Sequence, residues 1–145
     1  MNFKAWIIAV ILGGFCTSSF ASSFIEMRLV YFDHKSDAVK VVFPNHPFPR
    51  FVSQSPLLNE RDFVSVKIVE TDGYYRKVIE ASISKTALIK FNAAANQNDM
   101  VGLGVFIKGK PITLFPTLHP LQDTVFWITG LSETEMNSFV QVLSN

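Results

Sequence analysis

The sequence predicts an α+β fold in which a mostly antiparallel sheet of five or more strands carries two helices on one face. Two segments, 25–32 and 75–83, alternate apolar and polar residues with a period of two, which is typical of half-buried strands. Two others, 87–95 and 136–143, repeat apolar residues at spacings of three and four, as amphipathic helices do. Strands and helices in this order indicate an α+β domain.

Residues 1–21 have the composition of a secretory signal peptide. A single lysine precedes an apolar run, 5–15, and residues 19–21 fit a small-x-small cleavage site. The apolar run is too short to span a bilayer core of roughly 30 Å, although an uncleaved anchor is the alternative. We therefore expect cleavage after Ala21 to release one domain, 22–145, into the periplasm or, alternatively, the exterior.

The first part of this domain, 22–72, is predicted to form a β-hairpin followed by a proline-rich connector. Within the strand 25–32, Glu26 and Arg28 fall on the polar side, which predicts a strand that is buried on one face only. A polar turn then leads to the returning strand, 38–43.

The segment 44–51 contains three prolines, which exclude a helix and favour an extended path. It is either a rigid connector with buried aromatic rings or a recognition loop that displays Phe48, Arg50 and Phe51. The second interpretation follows because exposed aromatic and arginine side chains are enriched at interface hot spots. Downstream, 62–70 is rich in valine and predicts a strand.

Residues 73–145 predict a β-α-β-β-β-α core. The strand 75–83 is followed by Ser84, whose hydroxyl is suited to cap a helix. Three further strands are predicted: 101–108, 111–118 and 124–129. The last helix begins at a capping box formed by Ser132 and Glu135.

Phe126 and Trp127 are neighbours in the predicted strand 124–129, so their side chains point to opposite faces of the sheet. Burial of this aromatic face beneath the helices is the expected arrangement. Its alternative is an aromatic sheet face that binds extended peptide. Trp127 therefore joins Phe48, Arg50 and Phe51 as a candidate binding residue.

The charge of the chain gives no support for binding to nucleic acid or to an anionic membrane surface. The full sequence has 13 Lys and Arg against 12 Asp and Glu, and loss of residues 1–21 removes one lysine. The released domain would be near neutral, without the basic footprint of nucleic-acid binders or of proteins steered to acidic lipids.

The polar residues form no recognisable catalytic or metal-binding motif, so no metal and no cofactor is predicted. Cys16, the only cysteine, would leave with the signal peptide. The sequence Gly102-x-Gly104 lacks the third glycine of a phosphate loop and indicates close packing in a strand. None of the three histidines shows the spacing of metal motifs: His34, His46 and His119. A small hydrolase would require convergent polar groups that the sequence does not reveal.

A set of glycine, proline, apolar and capping positions in the C-terminal core resembles a known family. These positions are Phe91, 102–105, 108–112, Pro116, 128–130 and 132–135. They resemble the head subdomain of the first periplasmic domain of SecD, the protein-export accessory subunit. The resemblance covers about half of the chain and includes neither the periplasmic base nor the membrane spans of SecD. It implies a short helix near 62–70, as an alternative to the strand predicted there.

This resemblance implies a module that contacts polypeptide and has no enzymatic activity. We therefore predict an exported binding or interaction module with a protein or peptide partner and no membrane span after signal removal. The alternative is a periplasmic or secreted inhibitor or effector that blocks its partner with a rigid proline-rich loop, 44–51.

Overall fold

The computed structural model describes residues 23–97 and 100–144, so the predicted signal peptide, 1–21, lies outside the described residues. Strands and helices within these ranges follow one another in this order: β1 (Ile25–Tyr31), β2 (Ala38–Phe43), β3 (His46–Ser53), β4 (Leu58–Asn59), a 3-10 helix (Glu60–Asp62), β5 (Phe63–Glu70), β6 (Lys77–Ile83), α1 (Lys85–Ala95), β7 (Met100–Ile107), β8 (Lys110–Phe115), β9 (Val125–Ile128) and α2 (Glu133–Leu143).

The strands form two antiparallel sheets. The larger sheet has the order β2-β3-β1-β7-β8, with the short β4 also paired to β1, and the smaller sheet has the order β5-β6-β9. The predicted α+β class is confirmed, as is the β-α-β-β-β-α order from β6 to α2. The division into two sheets is an addition to the prediction, because it depends on which distant strands pair.

Local signals place both helices where the sequence predicts them. The Ser84 hydroxyl accepts a hydrogen bond from the Ala87 N–H at 3.1 Å and caps α1. At the start of α2, Ser132 and Glu135 form the predicted capping box, in which each side chain accepts from the other residue's backbone N–H.

The main core lies where the two sheets and both helices meet. Met27 of β1 and Val105 of β7, which are cross-strand partners, are fully buried in it. Ile79 of β6, Phe91 of α1 and Phe139 of α2 complete the same cluster. The elements are therefore held together chiefly by burial of apolar surface, at about 25 cal/mol per Å².

The prediction that β1 is buried on one face only is wrong. Glu26 and Arg28 are each 3% exposed, because β1 lies in the middle of the larger sheet and is covered on both faces. The Arg28 Nε donates to the Glu26 carboxylate at 2.8 Å, and its guanidinium also donates to the carbonyls of Ser53 and Gln54. The two charges are buried as a hydrogen-bonded pair, which is the condition under which buried charges are tolerated.

A second, smaller core lies on the Arg28 side of the larger sheet. The sheet curls so that β2 approaches β8, and Phe43 packs edge-on against Phe106 at 5.5 Å. The Asn45 amide holds this closure, because it donates to the Leu114 carbonyl at 3.0 Å and accepts from the Leu114 N–H at 2.9 Å. The Asn45 side chain thus makes the two hydrogen bonds to Leu114 that the backbone of a neighbouring strand would otherwise make.

The segment 44–51 is extended, as predicted, but it is neither a connector nor a loop. After a turn at Pro44 and Asn45 it continues as β3, which pairs with both β1 and β2. The register shifts between Val41 and Phe43 of β2, where the opposite strand accommodates extra residues. The predicted strand at 62–70 is confirmed as β5.

Candidate functional site

An apolar groove with a volume of about 210 Å³ opens beside β9. Its wall is formed by α1, by the end of β8, by the loop 116–124 and by β9 itself. The side chains that line it are mostly aromatic or aliphatic: Met27, Phe91, Leu103, Phe115, Leu118, Leu121, Phe126, Trp127 and Ile128, with Thr117 and His119 as polar additions. Grooves of this composition are suited to apolar ligands held by a few polar contacts.

The loop 116–124 forms one wall of the groove because α1 holds it in place. The Asn92 side chain accepts from the Leu121 N–H at 2.8 Å and donates to the Leu121 carbonyl at 2.9 Å. Pro116 and Pro120 restrict the backbone of the same loop. The loop therefore presents Leu118 and Leu121 to the groove from a fixed position.

Trp127 lies at the rim of the groove with 56% of its surface exposed, so the expectation that this aromatic face is covered by helices is wrong for Trp127. The alternation with Phe126 is as predicted. Phe126 is the inward residue, with its ring 6.2 Å from that of Phe91. On the outer face, Trp127 is opposite Glu80 of β6, and its indole N–H donates to the Glu80 carboxylate at 3.4 Å.

The Glu80 carboxylate connects the rim of the groove to β5. Lys67 lies 2.8 Å from its second oxygen. This hydrogen bond, and secondly the bond from Trp127, hold the pKa of Glu80 below the ordinary glutamate value of 4.5. Glu80 therefore stabilises the fold at pH values above its pKa in the unfolded chain, and this stabilisation is lost as the pH falls through its lower pKa in the folded protein.

We expect the fluorescence of Trp127 to report this titration. If residues 22–145 are titrated with acid, the emission should change with a midpoint below pH 4.5, since the Glu80 carboxylate then releases the indole N–H. The variant Glu80→Gln should lose the transition. Glu133→Gln is the control, because it removes an exposed ion pair between α2 and Lys77 that does not involve Trp127, and it should keep the transition. A midpoint at or above 4.5, or a transition that survives in Glu80→Gln, would contradict the assignment.

The other predicted binding residues, Phe48, Arg50 and Phe51, lie on β3 and are not brought together with Trp127. Phe48 is 66% exposed, while Arg50 and Phe51 are half-buried. The Arg50 guanidinium stands 4.9 Å over the ring of Phe32, and Lys40 stands 5.6 Å over that of Phe51. Because Arg50 and Phe51 are neighbours in β3, these two cation–ring contacts lie on opposite faces of the strand, and we call them together the β3 cation–ring contacts.

No group of metal-ligating side chains is visible among residues 23–97 and 100–144. Within those ranges, His, Cys, Asp and Glu side chains nowhere gather in a group of three or more that could hold a metal ion. A polar hollow at the β5–β6 turn is lined by Glu70, Asp72, Arg76 and Lys77, and it is open to solvent. Of the helices described there, none is long and apolar enough to cross a membrane.

Sequence reasoning missed the residues that build the groove around Trp127. The sequence predicts Leu118 as the last residue of the strand 111–118, but β8 ends at Phe115, so Leu118 lies in the loop with Leu121. Asn92 lies on the helix predicted to be amphipathic. The signal in the sequence is the pair of prolines at 116 and 120, the first of which lies within the predicted strand and indicates that its pairing ends or bulges there. The prolines alone do not show that the loop lines a groove, because that depends on Asn92 of α1, which holds Leu121.

Solved structures that share this fold include two of SecDF. One is SecDF in its super-membrane-facing form, with a TM-score of 0.59 and 16% sequence identity over 82% of this chain and 18% of that chain. The other is SecDF, a membrane component that enhances protein export, with a TM-score of 0.58 and 16% identity over 82% of this chain and 60% of that one. This chain therefore spans less than two thirds of either. The predicted resemblance is confirmed as a likeness of fold.

The likeness of fold extends further than the pattern of residues on which the prediction was based. That pattern covers about half of the chain, whereas the matched structure covers 82% of it. The shared fold therefore extends beyond residues 73–145 into the N-terminal part of the chain. Neither a family model nor a curated protein matches the sequence.

Proposed function

We propose that this chain is an exported binding module, without enzymatic activity, that holds apolar segments of polypeptide in the groove beside β9. The observation that carries the proposal is the groove itself, which presents the half-buried Phe115 and Leu118 and the exposed Trp127 beside a strand. Its lining of aromatic and aliphatic side chains offers burial to apolar groups and few polar atoms to a charged substrate.

Two further observations support this function. The fold is shared with SecDF, a membrane component that enhances protein export, and a role near exported polypeptides fits the signal-like composition of residues 1–21. The periplasm is the proposed location. Export and polypeptide contact are proposals for this chain, since fold alone does not fix function.

A peptide-binding measurement tests the proposal. The probe is a fluorescent extended peptide that alternates valine and threonine between terminal lysines, titrated with residues 22–145 and followed by anisotropy. Leu118→Asp should weaken binding by about tenfold or more, because a bound peptide would bury the new carboxylate without a partner. Val42→Asp is the matched control, since it places the same carboxylate on an exposed residue of β2 away from the groove.

The same titration separates this function from the inhibitor or effector that the proline-rich segment suggested. Alanine at Phe48, Arg50 and Phe51 together removes the β3 side chains of both β3 cation–ring contacts and should leave affinity for the probe unchanged. Loss of binding in the triple variant, with Leu118→Asp unaffected, would contradict binding in the groove and favour binding at the β3 side chains. The melting temperature of each variant shows whether the domain remains folded.

A further inference from the structure

The outer edge of β9 is exceptional among the edge strands that the structure describes. β9 pairs with β6 on one side, and within residues 23–97 and 100–144 no second strand pairs with it. Exposed edges usually carry a charge or a proline that prevents further pairing. The other edge strands of more than two residues follow this rule, with Lys40 in β2, Lys67 in β5, and Lys110 and Pro111 in β8. The four residues of β9, Val-Phe-Trp-Ile, have neither.

The register of β9 determines which of its backbone groups point outward. The Ile83 N–H donates to the Thr124 carbonyl at 3.0 Å, and these two residues continue the register in which Ser82 is opposite Val125. In an antiparallel pair, hydrogen-bonded and non-hydrogen-bonded residues alternate. Phe126 and Ile128 therefore bond to β6.

The remaining residues of β9, Val125 and Trp127, belong to the non-hydrogen-bonded class. Their N–H and C=O groups point away from β6, toward the open edge. This edge therefore offers two donors and two acceptors in the spacing of a strand.

The apolar groove lies along the same edge. Phe126 and Ile128 direct their side chains to the inner face, where they line the groove with Phe115 and Leu118. A strand added beside β9 would place every second side chain into the groove and the others on the outer face, near Trp127. One extended chain could therefore hydrogen-bond to the edge of β9 and, with every second side chain, fill the apolar groove.

We infer that β9 is a template for strand addition, and that its ligand is an extended, alternately apolar segment of another polypeptide. This rests on the proposed function and adds its mode: the backbone of the ligand supplies hydrogen bonds to Val125 and Trp127, while its side chains fill the groove. Recognition would then depend on extended shape and alternation more than on a particular sequence.

Backbone methylation of the valine–threonine probe tests the mode. Two isomers are prepared, one N-methylated at every valine and the other at every threonine. A strand at an edge directs only one of these sets of amides to its neighbour. One isomer should therefore bind about 20-fold more weakly or worse, from the loss of about two hydrogen bonds, and the other should bind as the unmodified probe does.

Failure of this mode is distinguishable from failure of the proposed function. If the unmodified probe binds but both isomers bind equally, whether as well as the probe or equally weakly, strand addition is overturned while binding in the groove remains. If the unmodified probe does not bind at all, the proposed function fails and the inference fails with it.

A variant of the protein gives a second measurement. Val125→Pro removes an N–H that β6 does not use, at the first position of an edge strand, where proline is tolerated. It should keep a melting temperature near that of the wild type and lose about fivefold or more in affinity for the probe. Phe126→Pro removes an N–H bonded to β6 and should instead lower the melting temperature. Unchanged affinity in a folded Val125→Pro variant would overturn the inference.

Discussion

Arg28→Ala is expected to lower the free energy of unfolding by about 3–5 kcal/mol, because it leaves the Glu26 carboxylate buried without its cation. The carbonyls of Ser53 and Gln54 lose a donor in the same variant. Chemical denaturation of residues 22–145, followed by circular dichroism, measures the loss.

Two controls separate the buried pair from charge pairing in general. Lys67→Ala breaks an exposed pair, in which the lysine side chain is 67% accessible, and should cost less than about 1 kcal/mol. The double variant Glu26→Gln, Arg28→Met removes both charges and should recover much of the loss, since neutral replacement of a buried pair is often tolerated. An Arg28→Ala variant within about 1 kcal/mol of the wild type would contradict this account.

Gly104→Ala is expected to lower the free energy of unfolding by about 1–3 kcal/mol through overpacking of the smaller core. A Cβ at this position would lie 2.6 Å from the ring of Phe43. That ring is 1% exposed and packs against Phe106, so it has little room to move. Thermal or chemical denaturation of the variant measures the effect.

The companion variants show whether Phe43 is the cause. Combined with Phe43→Leu, which removes the colliding ring atoms, Gly104→Ala should cost less than it does alone, and a double-mutant cycle gives the coupling. Gly73→Ala meets its nearest atom only at 3.6 Å and should change stability by less than about 1 kcal/mol. Additive costs for the first pair would indicate that Phe43 is not responsible.

Those parts of the fold that rest on contacts between near neighbours were predictable from the sequence. Ser84 and Ser132 cap helices whose signals lie within four residues of them. The alternation of apolar and polar residues in β6 is a local signal of the same kind. The central position of β1 was not predictable, because it depends on pairing with β7, about seventy residues further along the chain. Glu26 and Arg28 were therefore assigned to a solvent face that does not exist.

The candidate site was predictable in part, for the same physical reason. That Phe126 and Trp127 face opposite ways follows from the strand period, but which of them is inward depends on the register with β6. Extended structure at 44–51 follows from its prolines, whereas its place between β1 and β2 depends on distant partners. The groove required the positions of α1 and the loop 116–124, which are set by Asn92 and Leu121.

The central position of β1 has a consequence for how the chain folds. β1 is synthesised early, yet its partner β7 begins only at Met100. One edge of β1 is therefore unpaired while the residues up to β7 are synthesised. Apolar strands that are transiently unpaired during folding are prone to aggregation. Glu26 and Arg28 interrupt the apolar run of β1 during this interval. The two charges that are buried as a pair in the native sheet thus also disfavour association between incompletely folded chains.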